Sequence, residues 1–269
     1  MTPMCRMVGY LGDSIGLARL VEEPPHSLER QSYAARELDG AVVNADGWGV
    51  AFYLQGDPAP CVYRSTLPIW ADANRAQLCR AVRSWCLLAA VRSATDPLSI
   101  SQANTQPFGA GPLAFLHNGY FGGFSPALAR RLRRDLSDDA YVQIRGTTDS
   151  EHLFAALLDE YTRAASAPAA ERLWQAVERT LARIRALTAE LGSPALLSLV
   201  VSDGTSLVGV RTAVGARPPS LYVLHRDGGE RSTVVASEPL DDDGGWQRLA
   251  EHHAVRVRLG EAPEVVALR

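Results

Sequence analysis

The sequence of 269 residues predicts an α+β fold in which helices cover antiparallel sheets. Residues 7–116 carry short apolar runs typical of strands, and residues 196–268 show the two-residue period of strands. Between these regions lie two longer segments with the 3.6-residue period of amphipathic helices. This order of strands, helices and strands, with turn signals between the last strands, favours antiparallel sheets.

Apolar runs locate the elements of the N-terminal half. The first strand, residues 7–11, begins just after Cys5, and Asp13 with Ser14 is predicted to cap a short helix that ends at Leu20. A brief apolar run at 41–43 leads into a turn at 44–47, and residues 72–84 are predicted to be helical. Further strands are predicted at 48–54, 86–91 and 113–116.

Two clearer helices follow. Thr148 with Glu151 three positions later has the pattern of a capping box, which places a helix start near Asp149. A second helix spans about residues 169–191 and stops at Gly192, a residue type favoured just after a helix. The last strands are predicted in pairs, at 196–201 with 207–211, 221–225 with 232–236, and 255–259 with 265–268.

Composition excludes several classes of function. The formal net charge of -3 provides no field for nucleic acid or an anionic membrane, so neither is expected as a partner. All 27 basic residues are Arg, which removes the lysine of pyridoxal Schiff bases and of P-loops. No run of about 18 apolar residues and no secretory signal occurs, so a cytoplasmic location is expected.

Four cysteines are present, at positions 5, 61, 79 and 86. They lack a CxxC spacing, and cytoplasmic thiols are kept reduced, so neither a disulfide nor a zinc site is expected. No HExxH motif occurs, and neither a metal nor another cofactor is predicted. Cys61, Cys79 and Cys86 lie on apolar patterns and are interpreted as small core residues.

Cys5 differs because Met4 stands directly before it. Removal of Met4 would leave Cys5 with a free α-amino group, and a pKa of about 8 keeps an appreciable fraction of such amines neutral near physiological pH. One residue would then supply both a thiol nucleophile and a base within reach. The alternative is an ordinary apolar residue at the start of a strand.

Three other segments place polar groups where an apolar strand or a helix meets a loop. Arg92 ends the central strand, where its guanidinium can grip a carboxylate with two hydrogen bonds or form a structural ion pair. The Asn118 amide and the Gly119 N–H can form an oxyanion hole, although Asn-Gly is also a hairpin signal. Asp149 can bind an ammonium group or simply stabilise a helix N-terminus.

Taken together, these segments resemble class II glutamine amidotransferases, of the N-terminal-nucleophile hydrolase superfamily. Each match is weak alone, but six in the same order, covering roughly residues 4–155, are highly specific. The six segments are Met4-Cys5-Arg6, Asn44-Ala45-Asp46-Gly47-Trp48-Gly49, Val91-Arg92-Ser93-Ala94-Thr95, Asn104-Thr105-Gln106-Pro107-Phe108, His117-Asn118-Gly119 and Thr148-Asp149-Ser150-Glu151. The segment Ala236-Ser237-Glu238-Pro239-Leu240 also looks like the tail of the short family members.

Within the family, the chain is most similar to the stand-alone ergothioneine-biosynthesis branch. Members of that branch hydrolyse the γ-glutamyl bond of γ-glutamyl-hercynylcysteine sulfoxide. The segments that look like this branch in particular are residues 24–28, 31–34, 67–70 and 89–95.

The resemblance implies a four-layer αββα sandwich of two antiparallel sheets between helices, and it implies roles for five residues. Cys5 would attack the γ-carbonyl with its own α-amine as base. Asn118 and the Gly119 N–H would hold the oxyanion. Arg92 would bind the α-carboxylate of a small-molecule γ-glutamyl substrate, and Asp149 its α-ammonium. A γ-glutamyl thioester would form, the amine would leave, and water would release glutamate.

The N-terminus departs from the family pattern, because Met1, Thr2 and Pro3 precede Met4. Either Met4 is the true start, or residues 1–4 are a leader that is removed, or the amine is never freed and the enzyme is inactive. Residues 5–269 are then predicted to form a single amidotransferase-type domain. The chain also has Met7 and Gln106 where many relatives have His.

The predicted domain uses most of the chain and leaves no room for an acceptor domain, which favours a free-standing hydrolase. One alternative is an amidotransferase subunit that supplies ammonia to a separate synthase. Another is a non-catalytic glutamate-binding relative in which Cys5 stays blocked. Homo-oligomer formation is left open by the sequence.

Aromatic side chains are candidates for the amine part of the proposed substrate, which carries a trimethylammonium group. Aromatic faces bind such cations well. The four candidates are Tyr33, Trp48, Trp70 and Tyr120, and each could equally pack in the core or in a turn.

Overall fold

The computed structural model describes residues 4–37, 43–94, 97–124 and 126–268, without the side chains of residues 97 and 127. Residues 1–3 of the predicted leader, residues 41–42 of the predicted apolar run and Thr95 of the Val91-Arg92-Ser93-Ala94-Thr95 segment lie outside the described residues.

The described strands form two antiparallel sheets. In chain order they are β1 (Arg6–Gly16), β2 (Trp48–Phe52), β3 (Cys61–Ser65), β4 (Arg83–Val91), β5 (Phe108–Ala110), β6 (Leu113–Phe121), β7 (Ala195–Ser202), β8 (Ser206–Val214), β9 (Tyr222–Arg226), β10 (Ser232–Ala236), β11 (Gln247–Arg248), β12 (His253–Arg258) and β13 (Glu264–Ala267). The seven-stranded sheet has the order β11-β9-β10-β1-β4-β2-β3, and the six-stranded sheet has the order β13-β12-β8-β7-β6-β5.

Helices cover the outer face of each sheet. They are α1 (Ala18–Val21), α2 (Leu28–Ala34), α3 (Asn74–Ala81), α4 (Pro126–Arg134), α5 (Asp138–Tyr141), α6 (Asp149–Arg163) and α7 (Ala169–Leu191). One core joins α1, α2 and α3 to the seven-stranded sheet, and a second joins α4, α6 and α7 to the six-stranded sheet. A third core lies between the two sheets. The predicted α+β fold and the four-layer sandwich are therefore confirmed.

Sequence signals that lie within a single segment predicted the positions of the two longest helices. The helix predicted near 169–191 is α7, and Gly192 ends it in the left-handed conformation with φ 60°. The capping box is half formed, because the Thr148 hydroxyl accepts from the Glu151 N–H. The Glu151 carboxylate accepts instead from the backbone N–H groups of Arg145 and Gly146.

The predicted helix cap at Asp13 and Ser14 is wrong, because both residues lie in β1. A register shift between Leu11 and Ile15 lets the strand continue past them. The Asp13 carboxylate accepts from the Arg231 N–H at 2.9 Å, so it ties β1 to the turn before β10. The following helix, α1, begins at Ala18 without a side-chain cap.

The two faces of each strand determine which side chains meet between the sheets. Met7 and Leu11 of β1 lie in the core between the sheets, as does Leu116 of β6. Because strand side chains alternate, Cys5 and Asn118 are directed toward this same middle layer. Within the described residues, no helix has the length and hydropathy that a membrane span requires, and no three His, Cys, Asp or Glu side chains are grouped to hold a metal ion.

Candidate active site

A cavity of about 600 Å³ opens at the end of the sandwich where β1 begins and β4 and β6 end. We call it the Cys5 cleft. Its lining residues are Cys5, Arg92, Ser93, Ala94, Ser99, Asn104, Gln106, His117, Gly119, Tyr120, Phe121, Gly123, Phe124, Thr147, Thr148, Asp149 and Ser150. Four of the five residues singled out in the sequence line it, although positions 5, 92, 119 and 149 are far apart in the chain. The fifth, Asn118, lies fully buried beside Gly119.

The Cys5 thiol lies in an environment that favours its protonated form. Burial raises the pKa of the thiol, while a hydrogen bond with the Ser93 backbone and the charges of the Arg92 and Arg6 guanidinium groups act in the opposite direction. The sulfur lies 4.0 Å from the Ser93 carbonyl oxygen. Because the net shift is upward, the thiol needs a base at the moment of attack.

The backbone of Arg92 is fixed by two hydrogen bonds, whereas its guanidinium group is only partly hydrogen-bonded. Its N–H donates to Gly47 O at 2.8 Å, and its carbonyl accepts from the Asp46 N–H at 3.0 Å. The Nη2 atom donates to the Ser99 hydroxyl at 2.9 Å. Among the described residues, the buried Nη1 atom has no hydrogen-bond partner. A carboxylate in the cleft would supply the missing acceptor.

Asn118 and Gly119 lie within β6, so the hairpin alternative for Asn-Gly is wrong. Both residues pair with β7, opposite Ser198 and Leu197. The Asn118 side chain is fully buried, yet neither its oxygen nor its nitrogen has a hydrogen-bond partner in the described part of the chain. An unpaired amide in the core costs about 1–3 kcal/mol. Within the described residues its hydrogen-bonding capacity is therefore unused, directly beside Gly119 of the cleft.

Gly119 has a steric reason to be glycine. A Cβ at this position would clash with the Leu196 carbonyl oxygen and with the His117 ring. Any larger residue would push β6 away from β7 and move the backbone that borders the cleft.

Asp149 is the first residue of α6, so the helix-terminus interpretation also holds. Its Oδ1 accepts from the Ser150 N–H at 2.7 Å, and its Oδ2 accepts from the Phe121 N–H at 2.8 Å. The carboxylate therefore joins the start of α6 to the end of β6 while still lining the cleft. Its position suits an ammonium group bound beside Gly119.

A buried ionic cluster behind Cys5 was missed from the sequence. The fully buried Glu238 carboxylate accepts from His26 Nε2 at 2.7 Å and lies 3.5 Å from Arg6 Nη1. It also accepts from the N–H groups of Arg36 and Glu37. These contacts join Arg6, the residue after Cys5, to the segments on either side of α2 and to the residues that follow β10. The motif around Glu238 was visible in the sequence, but its partners are too distant in the chain to be inferred.

Glu238→Ala should destabilise the protein by about 3–5 kcal/mol at pH 7, because the buried Arg6 guanidinium loses its counter-charge. Thermal unfolding measures this, with Glu230→Ala as the control. Glu230 forms a half-exposed ion pair with Arg19, so its loss should cost less than about 1 kcal/mol. Equal losses from the two variants would contradict the prediction.

The effect of Glu238 should depend on pH. Burial alone would raise the pKa of the Glu238 carboxyl, but the hydrogen bonds from His26 and the Arg36 N–H, with the Arg6 charge, outweigh it and lower the pKa. A lowered folded-state pKa gives stability that is present above the unfolded value of about 4.3 and lost as pH falls through the folded value. The difference between wild type and Glu238→Ala should therefore shrink below about pH 4.

The four aromatic candidates separate into three groups. Trp48 is fully buried and donates to Asp72, so it cannot contact a ligand in this structure. Tyr33 and Trp70 are half exposed and contact each other edge to face, outside the Cys5 cleft. Tyr120 lines the cleft.

The chain matches a family profile described as class-II glutamine amidotransferases over residues 23–227. It is 35% identical to a Mycolicibacterium smegmatis protein named gamma-glutamyl-hercynylcysteine sulfoxide hydrolase, over 95% of this chain and 96% of that protein. It is 29% identical to the probable glutamine amidotransferase DUG3 of Saccharomyces cerevisiae, over 95% of this chain and 82% of that protein.

Solved structures give the same fold. A class-II domain protein from Silicibacter pomeroyi superposes with a TM-score of 0.69 and 25% identity, covering 98% of this chain and all of that one. The PRPP amidotransferase of Bacillus subtilis superposes with a TM-score of 0.63 and 15% identity, covering 98% of this chain and 49% of that one. The second likeness concerns the fold alone.

Proposed function

Because the chain belongs to the class II glutamine amidotransferases, we propose that it releases glutamate from γ-glutamyl-hercynylcysteine sulfoxide, with Cys5 as the nucleophile. At the coarser level it is an amidotransferase-type hydrolase that acts on amide C–N bonds. The observation that carries the proposal is the convergence of Cys5, Arg92, Gly119 and Asp149 on one cleft.

In this proposal, two residues of opposite charge, Arg92 and Asp149, bind the α-carboxylate and the α-ammonium of the glutamyl group. The substrate carboxylate completes the hydrogen bonding of Arg92, whose Nη1 is buried without a partner among the described residues. The substrate ammonium pairs with Asp149, which keeps free lone pairs beyond its two backbone donors. With both charged groups of the substrate bound, the side chain of the glutamyl group extends toward Cys5.

The reaction then passes through a thioester. The Cys5 α-amine accepts the thiol proton as the sulfur attacks the γ-carbonyl carbon, and the carbonyl electrons move to the oxygen. The Asn118 amide and the Gly119 N–H stabilise that oxyanion. The oxyanion collapses, the C–N bond breaks, and the leaving amine takes the proton from the α-amine. Water adds to the thioester in the same way and releases glutamate and the thiol.

This chemistry needs an unblocked N-terminus, so we propose that the mature chain begins at Cys5. The alternative of a blocked, non-catalytic glutamate-binding protein has a simple test. Intact-mass analysis of the purified protein should give the mass of residues 5–269, and a mass that includes Met4 in an active preparation would contradict the proposed base.

The choice of substrate is supported by the name of the Mycolicibacterium smegmatis relative. The cleft volume of about 600 Å³ also falls in the range of sites that take ligands larger than an amino acid. We therefore expect the conjugate to be preferred to free glutamine in kcat/KM by about 100-fold, equivalent to about 2.7 kcal/mol of transition-state binding. The measurement is glutamate release from each substrate at matched concentrations. A preference for glutamine would favour an ammonia-supplying subunit.

A further inference from the structure

The strand that carries Asn118 and Gly119, β6, extends beyond its neighbour β5 on the side of the cleft. β5 pairs with β6 from Ala110↔Leu113 to Phe108↔Phe115, whereas β6 continues to Phe121. Pro107 precedes β5, and proline has no N–H to extend the ladder. Beyond Phe115, the backbone groups on this edge of β6 therefore need another partner.

The Gln106 side chain supplies that partner in register. Position 106 lies two residues before Phe108, and His117 lies two residues after Phe115, so the two positions are the next pair of an antiparallel ladder. Gln106 Oε1 accepts from the His117 N–H at 2.5 Å, and Gln106 Nε2 donates to the His117 carbonyl at 2.8 Å. A side-chain amide thus replaces a strand residue, and it is buried.

The same edge carries the backbone donor proposed for catalysis. Along an antiparallel strand, the N–H of every second residue faces the same side. The N–H groups of His117 and Phe121 face this edge and are bound by Gln106 and Asp149. The Gly119 N–H lies between these two fixed points and borders the cleft.

We propose that Gln106 is a positioning residue for the reaction: by holding the His117 backbone, it aims the Gly119 N–H and the Asn118 amide at the oxygen of the scissile carbonyl. The proposal rests on the proposed function of the cleft. Gln106 acts through His117 rather than on the reacting atoms. A donor displaced by about 1 Å from that oxygen can lower the rate by about 100-fold.

The ring of His117 is anchored independently of Gln106. Its Nε2 bonds the Leu196 carbonyl at 2.9 Å, and its Nδ1 bonds the Ser150 hydroxyl at 2.9 Å. Burial lowers the pKa of His117, so the ring is neutral and donates through Nε2 while Nδ1 accepts. Removing the Gln106 amide therefore loosens one edge of β6 and leaves the strand in place.

The test is Gln106→Met, which keeps the length of the side chain and removes both hydrogen bonds. We expect kcat for glutamate release to fall by about 10- to 100-fold. KM should change by less than about threefold, because Arg92 and Asp149 do not depend on Gln106 for their contacts. Hydrogen exchange at the His117 amide should become faster, since its acceptor is gone.

Gln102→Met is the matched control on the same loop. The Gln102 side chain is exposed and donates to the Arg64 carbonyl at 3.1 Å, away from β6. This variant should keep the wild-type kcat, KM and His117 exchange rate. If Gln106→Met does not fold, Gln106→Asn serves instead, because its shorter amide cannot reach both backbone groups.

Two results would overturn the proposal: a folded Gln106 variant with kcat within twofold of wild type, or unchanged exchange at the His117 amide. A KM that rises as much as kcat falls would also count against it, because that pattern indicates lost substrate binding. Wild-type protein that releases no glutamate would refute the proposed function instead, and the exchange measurement would still test the Gln106 contact.

Discussion

Cys5→Ala is expected to lower glutamate release from the γ-glutamyl conjugate by about 10⁴-fold or more, the loss typical of removing an enzyme nucleophile. The substrate should still bind, because the charged groups proposed to hold it, Arg92 and Asp149, are untouched. Binding of the conjugate to the variant is measurable by calorimetry. We expect a Kd close to that of wild type, because a thiol of raised pKa contributes no charge to ground-state binding.

Cys61→Ala is the control for this prediction. Cys61 is partly exposed at the start of β3, does not line the Cys5 cleft, and is a free thiol like Cys5. Its removal should leave kcat and KM within about twofold of wild type. A Cys5→Ala protein that retains a tenth of the wild-type activity would show that another group performs the attack.

The elements that the sequence predicted best are those whose cause is local. The stripe and terminal glycine of α7 lie within one segment, so a single window of residues contains the information. The failure at Asp13 and Ser14 has the opposite origin. Both residues are of types that commonly cap helices. The hydrogen bond that Asp13 accepts from the Arg231 N–H, however, depends on a segment more than 200 positions away.

The site divides in the same way. The sequence indicated Cys5, Arg92 and Asp149 through their neighbours and through the family resemblance, and the cleft brings these three together. It could not indicate that Glu238 contacts Arg6 or that Gln106 binds the His117 backbone. Those contacts arise only when the residues after β10 meet the segments that flank α2 and when the register of β5 and β6 is known. Such contacts depend on which strands and helices become neighbours in the fold, and a pattern read along the chain does not show this.

Asn118 has the properties of a residue kept for function at a cost in stability. Its amide loses its hydrogen bonds to water on folding and gains none among the described residues. Removing such a group takes away a penalty of about 1–3 kcal/mol, which offsets the packing lost with the side chain. Asn118→Ala should therefore unfold at a temperature equal to or above that of wild type.

The same substitution should lower kcat by about 10²–10³-fold, the usual loss when one oxyanion donor is removed. KM should change little, because the amide is proposed to bind the oxygen only as charge develops on it. Steady-state kinetics with the γ-glutamyl conjugate and a thermal melt of the same preparation measure both effects together.

Asn104→Ala is the informative comparison, because Asn104 is also buried beside the cleft but its amide is fully engaged. It donates to the Ser99 carbonyl at 2.7 Å and accepts from the Thr147 N–H at 2.8 Å. Its removal should destabilise the protein by about 1–3 kcal/mol, since these two backbone groups lose their partner. If Asn118→Ala were the less stable of the two variants, or kept its kcat within threefold, the Asn118 amide would be a structural group. Loss of kcat with stability retained would instead place it at the oxyanion.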